Sequence, residues 1–392
     1  MKVGYVLNIF PKITETFILN EILAMQKKGV AIEVFAYKDA KEDHVHAQAR
    51  QVPVRYFFKA GAIQKFSAHL YWIRRNFLRY LKAWVWVARH GDGVRKLFVW
   101  DLMDTVIVDK SRPDHLHAHF GDEASNTAML VHLLSGVPFT FTTHSYDIFD
   151  GKYNNWKIKS ALAKKHVTIS EYNKNYIMDR YGVNPRHIAV VHCGVDFERI
   201  RLRAKESRKD LVVAIARLCP EKGLDGLVRA CAKLKEQGVR FECRIAGEGP
   251  ERPALEKQIR SLDLGREVIL LGNQTQDEIF HLLDEATIKV LPSRSLETMG
   301  VALMEAMAIG VAVVGPRLNG CPELVEDGEC GFLVNPDDVE TLTDRMRQLL
   351  VDEALRGRFR ESGYRKVFRE FNLESETDKL LSIWKTPEAP AA

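Results

Sequence analysis

Short apolar, β-branched runs alternate with helix-patterned segments along almost the whole chain, and the series restarts once after a charged stretch. The first series comprises Lys2–Leu7, Ala31–Tyr37, His115–His119, Phe139–Thr143, His166–Ile169 and Ile188–Val191. The second comprises Leu211–Ala216, Phe241–Ala246, Val268–Leu271, Ile288–Leu291, Ala312–Val314 and Phe332–Val334. Phe17–Lys28, Leu224–Gln237 and Asp277–Glu285 are among the helical segments between them. Strands that are apolar on both faces must be covered on both faces, which implies parallel sheets between layers of helices. Two series imply two Rossmann-like, doubly wound α/β domains facing a deep interdomain cleft. The join is expected near Asp196–Arg208, dividing the chain into 1–198 and 199–373, with a terminal helix at about 374–386 returning to the first domain.

A chain of 392 residues exceeds what one core ordinarily supports, in keeping with two domains. Lys plus Arg minus Asp plus Glu is 57 − 52 = +5, too mild a basic balance to argue for a nucleic-acid partner. The six cysteines form no CxxC pair and no metal-ligand spacing, so they read as reduced thiols of a cytosolic protein. The opening Met-Lys-Val-Gly-Tyr-Val-Leu-Asn reads as a strand rather than a signal peptide, and no apolar run is long enough to span a bilayer.

The most informative segment is Leu291–Glu305, Leu-Pro-Ser-Arg-Ser-Leu-Glu-Thr-Met-Gly-Val-Ala-Leu-Met-Glu. A strand, a Pro-Ser loop and a helix opened by Gly300 make an anion cradle, because free N–H groups and the helix dipole face the ligand. Glu297 falls in the loop and Glu305 early in the helix. A carboxylate there repels phosphate but accepts hydrogen bonds from paired hydroxyls such as those of a ribose. Ala216–Gly223 places Arg217 and Lys222 at a strand's carboxyl end, where open α/β sheets bind ligands. They read either as two solvated surface charges or, because cations at a helix start are unfavourable unless an anion is present, as a pair that neutralises a diphosphate. Gly247 and Gly249 follow another strand and read either as a plain turn or as a close backbone approach to the ligand. Gly315–Glu323 reads equally as a closing loop and as the start of a structural helix.

In the first half, His144 ends an apolar strand, a position that faces the expected cleft, and it reads equally as a structural and as a functional histidine. His117 and His119 share a strand face by period two, and no third metal ligand stands at ordinary spacing, so lining or structural roles are favoured. In Pro11–Phe17, Thr14 or Thr16 can cap the following helix and Glu15 suits its positive end. Lys59–Trp100 differs from the rest of the chain, with nine Lys or Arg, one acid (Asp92) and four of the six tryptophans. Leu70, Ile73, Phe77, Leu81, Trp84 and Ala88 follow helical spacing, and Arg75, Arg79, Lys82 and Arg89 cluster on another face. That pattern suits a helix lying on an anionic membrane surface, or one packing its apolar stripe on the first domain.

With these residues in view, the chain resembles the family-4 retaining glycosyltransferases of GT-B architecture, and more narrowly the bacterial exopolysaccharide and colanic-acid-type enzymes. Glu297 through Glu305 resembles the family's Glu-x7-Glu element. Arg217 and Lys222 resemble its diphosphate pair. Asn8–Pro11 with Glu15-Thr16-Phe17, His119-Phe120-Gly121, His144 and Gly194-Val195-Asp196 also match. The first loop lacks the family's paired glycines, Thr298 and Met299 replace a pair that is often Gly-Phe, and Cys193 stands where Asn is common.

The resemblance implies that Glu305 holds the ribose hydroxyls, and that Glu297 with the backbone of Thr298, Met299, Gly300 and Val301 faces the donor sugar and phosphate. Arg217 and Lys222 would stabilise the leaving diphosphate beside Gly247, and His144 would lie near the reacting face. Glu15, Thr16 and His119 are expected on the acceptor side. It further implies a hexosyltransferase-type, metal-independent reaction without cofactor, from a nucleoside-diphosphate sugar to a glycan or lipid-linked acceptor, in the cytoplasm at the inner face of the plasma membrane. A nucleotide-sugar epimerase of the same architecture, a silent nucleotide-sugar-binding module and a membrane-surface scaffold remain open at this point.

Overall fold

The computed structural model describes residues 1–12, 15–40, 47–90, 94–149, 155–200 and 210–387. The chain divides into two compact units, Met1–His192 with Glu374–Ala392, and Cys193–Leu373. Thr14, Asp92 and the charged stretch 201–209 lie outside the described residues.

The first unit holds a seven-stranded sheet of β1 (Lys2–Ile9), β2 (Ala31–Lys38), β3 (Val54–Tyr56), β4 (His115–His119), β5 (Phe139–Thr143), β6 (Lys165–Thr168) and β7 (Ile188–Val190). Its strand order is β3-β2-β1-β4-β5-β6-β7, and every neighbouring pair is parallel. The second unit holds a six-stranded sheet of β8 (Leu211–Ile215), β9 (Glu242–Ala246), β10 (Val268–Gly272), β11 (Ile288–Val290), β12 (Ala312–Pro316) and β13 (Phe332–Val334). Its order is β10-β9-β8-β11-β12-β13, again parallel throughout. Both units are therefore Rossmann-like, and each strand order reverses once, between β1 and β4 and between β8 and β11.

The strands expected from the sequence all form. The additional one, β3, has three residues and is half-buried to exposed, too short for an apolar run to announce it. In the first unit the period-two alternation of β1 sorts its residues between two cores. Val3, Tyr5 and Leu7 join Ile18, Ile22 and Met25 of the helix Thr16–Lys27, whereas Val6 joins Leu116, Phe141 and residues of the helix Glu123–Ser135. The terminal helix Leu373–Lys385 adds Leu380, Leu381 and Trp384 to the first of these cores. Trp384 donates through Nε1 to Thr140 Oγ1 (3.0 Å), and Glu376 accepts the N–H of His192 (2.8 Å).

Two local expectations are corrected. Thr16 is the first residue of its helix rather than the cap; Glu15 occupies the cap position and makes no side-chain capping bond. The helical pattern after Lys59 forms Ala62–His90, broken at Asn76 (φ −162°, ψ 91°), whose side chain accepts the N–H of Arg79 (3.0 Å) and so caps a second helical segment. The residues this helix buries are Ala68, Trp72, Ala83 and Val87, with Trp72 Nε1 donating to Thr105 Oγ1 (2.8 Å). Of the expected stripe, Phe77, Leu81, Trp84 and Ala88 are exposed, and Leu70 and Ile73 are half-buried. The helix thus satisfies the core with one apolar stripe and presents another to solvent.

Trp384→Ala is expected to destabilise the first unit by about 3–5 kcal/mol through the cavity and the lost hydrogen bond. Urea unfolding followed by tyrosine and tryptophan fluorescence should show an early transition moved to lower denaturant.

Candidate functional site

The β8 and β11 connections leave the sheet of the second unit on either side of its reversal point, where an α/β sheet opens a crevice. After β8, the short 3₁₀ turn Pro220–Lys222 ends at Gly223, whose φ of +62° requires the left-handed region. A Cβ there would lie 2.2 Å from the carbonyl oxygen of Pro292, so glycine allows the β8 and β11 loops to touch. The contact is fastened by the N–H of Arg294 donating to Glu221 O (2.8 Å) and by the Arg294 guanidinium, which pairs with both Asp225 (2.6 Å) and Asp337.

This contact brings Lys222 and Glu297 together. Lys222 Nζ donates to Glu297 Oε2 at 2.6 Å, both side chains being largely buried, and Ser293 Oγ donates to the same oxygen (3.1 Å). Asn319 Nδ2 donates to the Glu297 carbonyl oxygen (2.8 Å). Leu296, immediately before, has φ +57°, a strained value for a γ-branched residue, placed where the loop turns Glu297 inward. Arg217, at the end of β8, is exposed and makes no ion pair or side-chain hydrogen bond among the described residues.

The helix Val301–Ile309 begins after Gly300 (φ +77°). The first N–H groups of a helix have no acceptor in a preceding turn and are open to an anion. The side chains of Thr298 and Met299 are buried. Glu305, half-buried one turn into the helix, receives a long hydrogen bond from Gln276 Nε2 (3.4 Å). Burial pushes its carboxyl up to about 7, against the opposing pull of Lys289 and Arg199. Lys289, fully buried on β11, is pushed down to about 7 by burial, against Glu305 and Glu297. Gly247 and Gly249 have a packing reason: a Cβ at either would meet the carbonyl oxygens of Ala216 (1.9 Å) or Leu218 (2.3 Å), so the β9 loop interlocks with the loop that carries Arg217. The Gly315–Glu323 loop meets the Glu297 loop through Asn319.

In the first unit His119 and His144 stand at the ends of β4 and β5, and their rings stack with centroids 5.2 Å apart. His119 Nδ1 and His144 Nε2 are 3.0 Å apart, and His119 Nε2 lies 3.2 Å from Glu21 Oε1. The sequence offered no third ligand beside His117 and His119, but the helix Thr16–Lys27 supplies one: Glu21, His117 and His119 have ligand atoms within 4.8 Å of one another. Each of those atoms already has a protein partner. Tyr5 OH donates to Glu21 Oε1 (2.8 Å), and Thr140 and Thr142 hydroxyls meet the two nitrogens of His117 (2.8 and 3.2 Å). Glu15 pairs with Lys12 (2.5 Å) on the loop after β1.

Ser293, Asn319, Gln276, Lys289 and Glu21 were not singled out from the sequence. Lys289 carried a readable signal, a charge inside an otherwise apolar strand; the others are polar residues in ordinary contexts, brought in by the fold. The second unit thus gathers Arg217, Lys222, Glu297 and the start of the helix that carries Glu305 at one end of its sheet.

Two family models divide the chain: Glycosyltransferase Family 4 matches residues 14–199, and Glycosyl transferases group 1 matches residues 196–366. A putative colanic acid biosynthesis glycosyltransferase, WcaL, of Salmonella typhimurium is 31% identical over 98% of this chain and 100% of its own length. The amylovoran biosynthesis glycosyltransferase AmsK of Erwinia amylovora is 27% identical over 90% of this chain and 92% of its own. Among solved structures, a glycosyltransferase from Rickettsia africae superposes with a TM-score of 0.74 at 17% identity, covering 98% of this chain and 97% of that one. Anabaena Alr3699/HepE in complex with UDP and glucose superposes with a TM-score of 0.74 at 18% identity, covering 97% and 98%. The paired parallel sheets are those of the GT-B architecture. The chain belongs to the glycosyltransferases built from a family 4 domain followed by a group 1 domain.

Proposed function

We propose that this chain moves a sugar from a nucleoside-diphosphate sugar to an acceptor hydroxyl of a lipid-linked or polysaccharide glycan in exopolysaccharide biosynthesis, with the anomeric configuration retained and without a metal ion. The observation that carries the reading is the Lys222–Glu297 pair at the β8/β11 reversal, flanked by unpaired Arg217 and the start of the helix that holds Glu305. Arg217, Lys222 and the N-terminus of Val301–Ile309 form a cradle for a diphosphate, and two cations there take the role a divalent ion otherwise fills. Glu305 sits where a carboxylate accepts paired ribose hydroxyls. Glu297, held by Lys222, Ser293 and Asn319, is aimed where the sugar would lie. Gly247 lets the β9 loop come close to the same crevice, and His144 is assigned to the reacting face with Glu15 and Thr16 on the acceptor side. The colanic acid and amylovoran relatives support the polysaccharide assignment, and the HepE complexes with UDP support the donor class.

In the reaction the acceptor oxygen bonds to the anomeric carbon on the face from which the diphosphate departs. The bond from that carbon to the phosphate oxygen breaks, and a phosphate oxygen takes the hydroxyl proton. The protein's share is electrostatic, because preorganised donors stabilise charge gathering on the leaving diphosphate. Lys222→Ala should lower turnover by about 10²-fold or more, and near-normal turnover would remove Lys222 from the leaving-group site. A donor isomerised in the absence of acceptor would instead identify an epimerase.

Glu305 accepts hydroxyl hydrogens from both oxygens only when ionised. Its pKa is raised to about 7, so the binding form is present above that pH and is lost as pH falls through it. The donor KM should therefore rise as pH is lowered below about 7, and in Glu305→Gln this limb should disappear. A wild-type donor KM flat across that range would contradict the assignment.

We also assign the helix Ala62–His90 to an anionic membrane surface. Having buried Ala68, Trp72, Ala83 and Val87, it still exposes Phe66 (65%), Phe77 (57%), Leu78 (68%), Leu81 (48%) and Trp84 (55%). The helix carries six Lys or Arg and no acid, the charge complement of anionic headgroups. No helix among the described residues is long and apolar enough to cross a membrane, so the association proposed is peripheral. The protein should sediment with vesicles containing phosphatidylglycerol and not with pure phosphatidylcholine. The Phe77→Glu/Trp84→Glu double variant should stay in solution while its turnover of a water-soluble acceptor is unchanged. Equal sedimentation of wild type and variant would contradict the surface.

A further inference from the structure

Two residues of β4 and one of the helix Thr16–Lys27 converge on a single point inside the first unit. We propose that Glu21, His117 and His119 bind one divalent ion of the zinc class and so tie that helix to β4. All three ligands belong to the first unit, and none to the cradle of Arg217 and Lys222. The ion is structural, and the transfer proposed above remains a reaction of protein cations.

The fold brings the three groups together by simple means. Period two puts His117 and His119 on one face of β4, and the helix that follows β1 lays Glu21 across them. Glu21 Oε1 lies 3.2 Å from His119 Nε2 and 3.6 Å from His117 Nε2, and all three ligand atoms fall within 4.8 Å of one another. Nitrogen and oxygen ligands about 2.0–2.2 Å from a tetrahedral zinc stand about 3.3–3.5 Å apart, so the observed separations need little adjustment. The 3.6 Å approach is longer than a hydrogen bond and has no other evident reason. Two imidazoles and one carboxylate suit zinc and its first-row neighbours better than magnesium or calcium, which favour oxygen alone. Three protein ligands leave one position of the tetrahedron for a water or hydroxyl.

The surroundings also fit a metal site. Ligating histidines are held by a partner on the other ring nitrogen. His117 Nδ1 meets Thr140 Oγ1 at 2.8 Å, His119 Nδ1 meets His144 Nε2 at 3.0 Å, and Tyr5 OH donates to Glu21 Oε1 at 2.8 Å. The ion would replace the contact of His117 Nε2 with Thr142 Oγ1 (3.2 Å) and displace whatever hydrogen either Nε2 carries, so the assignment does not depend on a tautomer. Among the described residues Glu21 pairs with no lysine or arginine, and a carboxylate in the interior calls for a cation. Both histidines are buried, whereas 16% of the Glu21 side chain remains exposed and gives the ion an entry. Loading the site would fix the helix that carries Phe17, whose ring packs 4.6 Å from His144.

The test is zinc binding to the full-length protein after dialysis against a chelator, read by metal analysis of the gel-filtered protein and by thermal melting. One equivalent per chain is expected, and an excess of zinc should raise the melting temperature by about 5 °C or more. Glu21→Gln and His117→Gln keep amides for their hydrogen-bonding neighbours and each remove a ligand. Each should weaken zinc binding by more than about 100-fold, beyond what loss of an outer partner costs. If these variants do not fold, cobalt(II) in the wild-type protein reads the ligands directly. The expected spectrum has the visible bands of four-coordinate cobalt and no thiolate band in the near ultraviolet. No stoichiometric zinc, equal binding by both variants, or a thiolate band from the cysteines would overturn the site. A protein that binds zinc in this way yet transfers no sugar counts against the proposed reaction and leaves the site standing.

Discussion

The reversal of strand order between β8 and β11 is the constraint on which the site depends. Connections leaving strands on the two sides of that point depart toward opposite faces of the sheet, so nothing fills the space above their carboxyl ends. The charged groups assigned to the donor are attached there: Arg217 and Lys222 on one side, Glu297 and the helix bearing Glu305 on the other. The two loops would splay if Gly223 did not permit the close approach to Pro292 and if Arg294 did not tie Asp225 to Asp337. The Lys222–Glu297 pair is therefore a product of loop packing, and its partners are set before any ligand arrives. An ion pair this buried would contribute little net stability by itself, since desolvation offsets most of the attraction. Its value lies in holding a cation and a carboxylate at defined positions.

The first unit uses the corresponding place, the β1/β4 reversal, differently. Aromatic and imidazole rings are stacked there in a dry interior, from Tyr5 through His119 to His144. Glu21 accepts from Tyr5 below the rings, Asp122 accepts from Asn8, and Asp147 accepts backbone N–H groups. The second unit gathers charged side chains at its reversal, and the first gathers stacked rings at its own.

The sequence made the strands legible because parallel strands buried on both faces are apolar throughout. It made the donor loops legible because cations at a helix start and a carboxylate inside an anion cradle are unusual enough to need a reason. β3 escaped because three half-buried residues carry no pattern. Glu21 escaped because it is separated from His119 by 98 positions, and its helix position reads as an ordinary half-polar one. The apolar stripe chosen for the helix after Lys59 contains the exposed Phe77, Leu81 and Trp84. Helical spacing could not reveal that the break at Asn76 lets Ala68, Trp72, Ala83 and Val87 form a second stripe, on a helix that packs against the helices Glu123–Ser135 and Met103–Lys110. The expected cap at Thr16 failed for a similar reason: the helix start is fixed by tertiary packing of Ile18 and Ile22 rather than by a capping hydroxyl.

Calorimetric titration of nucleoside diphosphates into the whole protein in the presence of EDTA addresses the central claim most directly, because it asks whether the β8/β11 crevice holds a diphosphate with protein cations alone. The account predicts one saturable site per chain, insensitive to the chelator and weakened strongly by Lys222→Ala and by Arg217→Ala. Binding that requires a divalent cation, or that both substitutions leave intact, would contradict it.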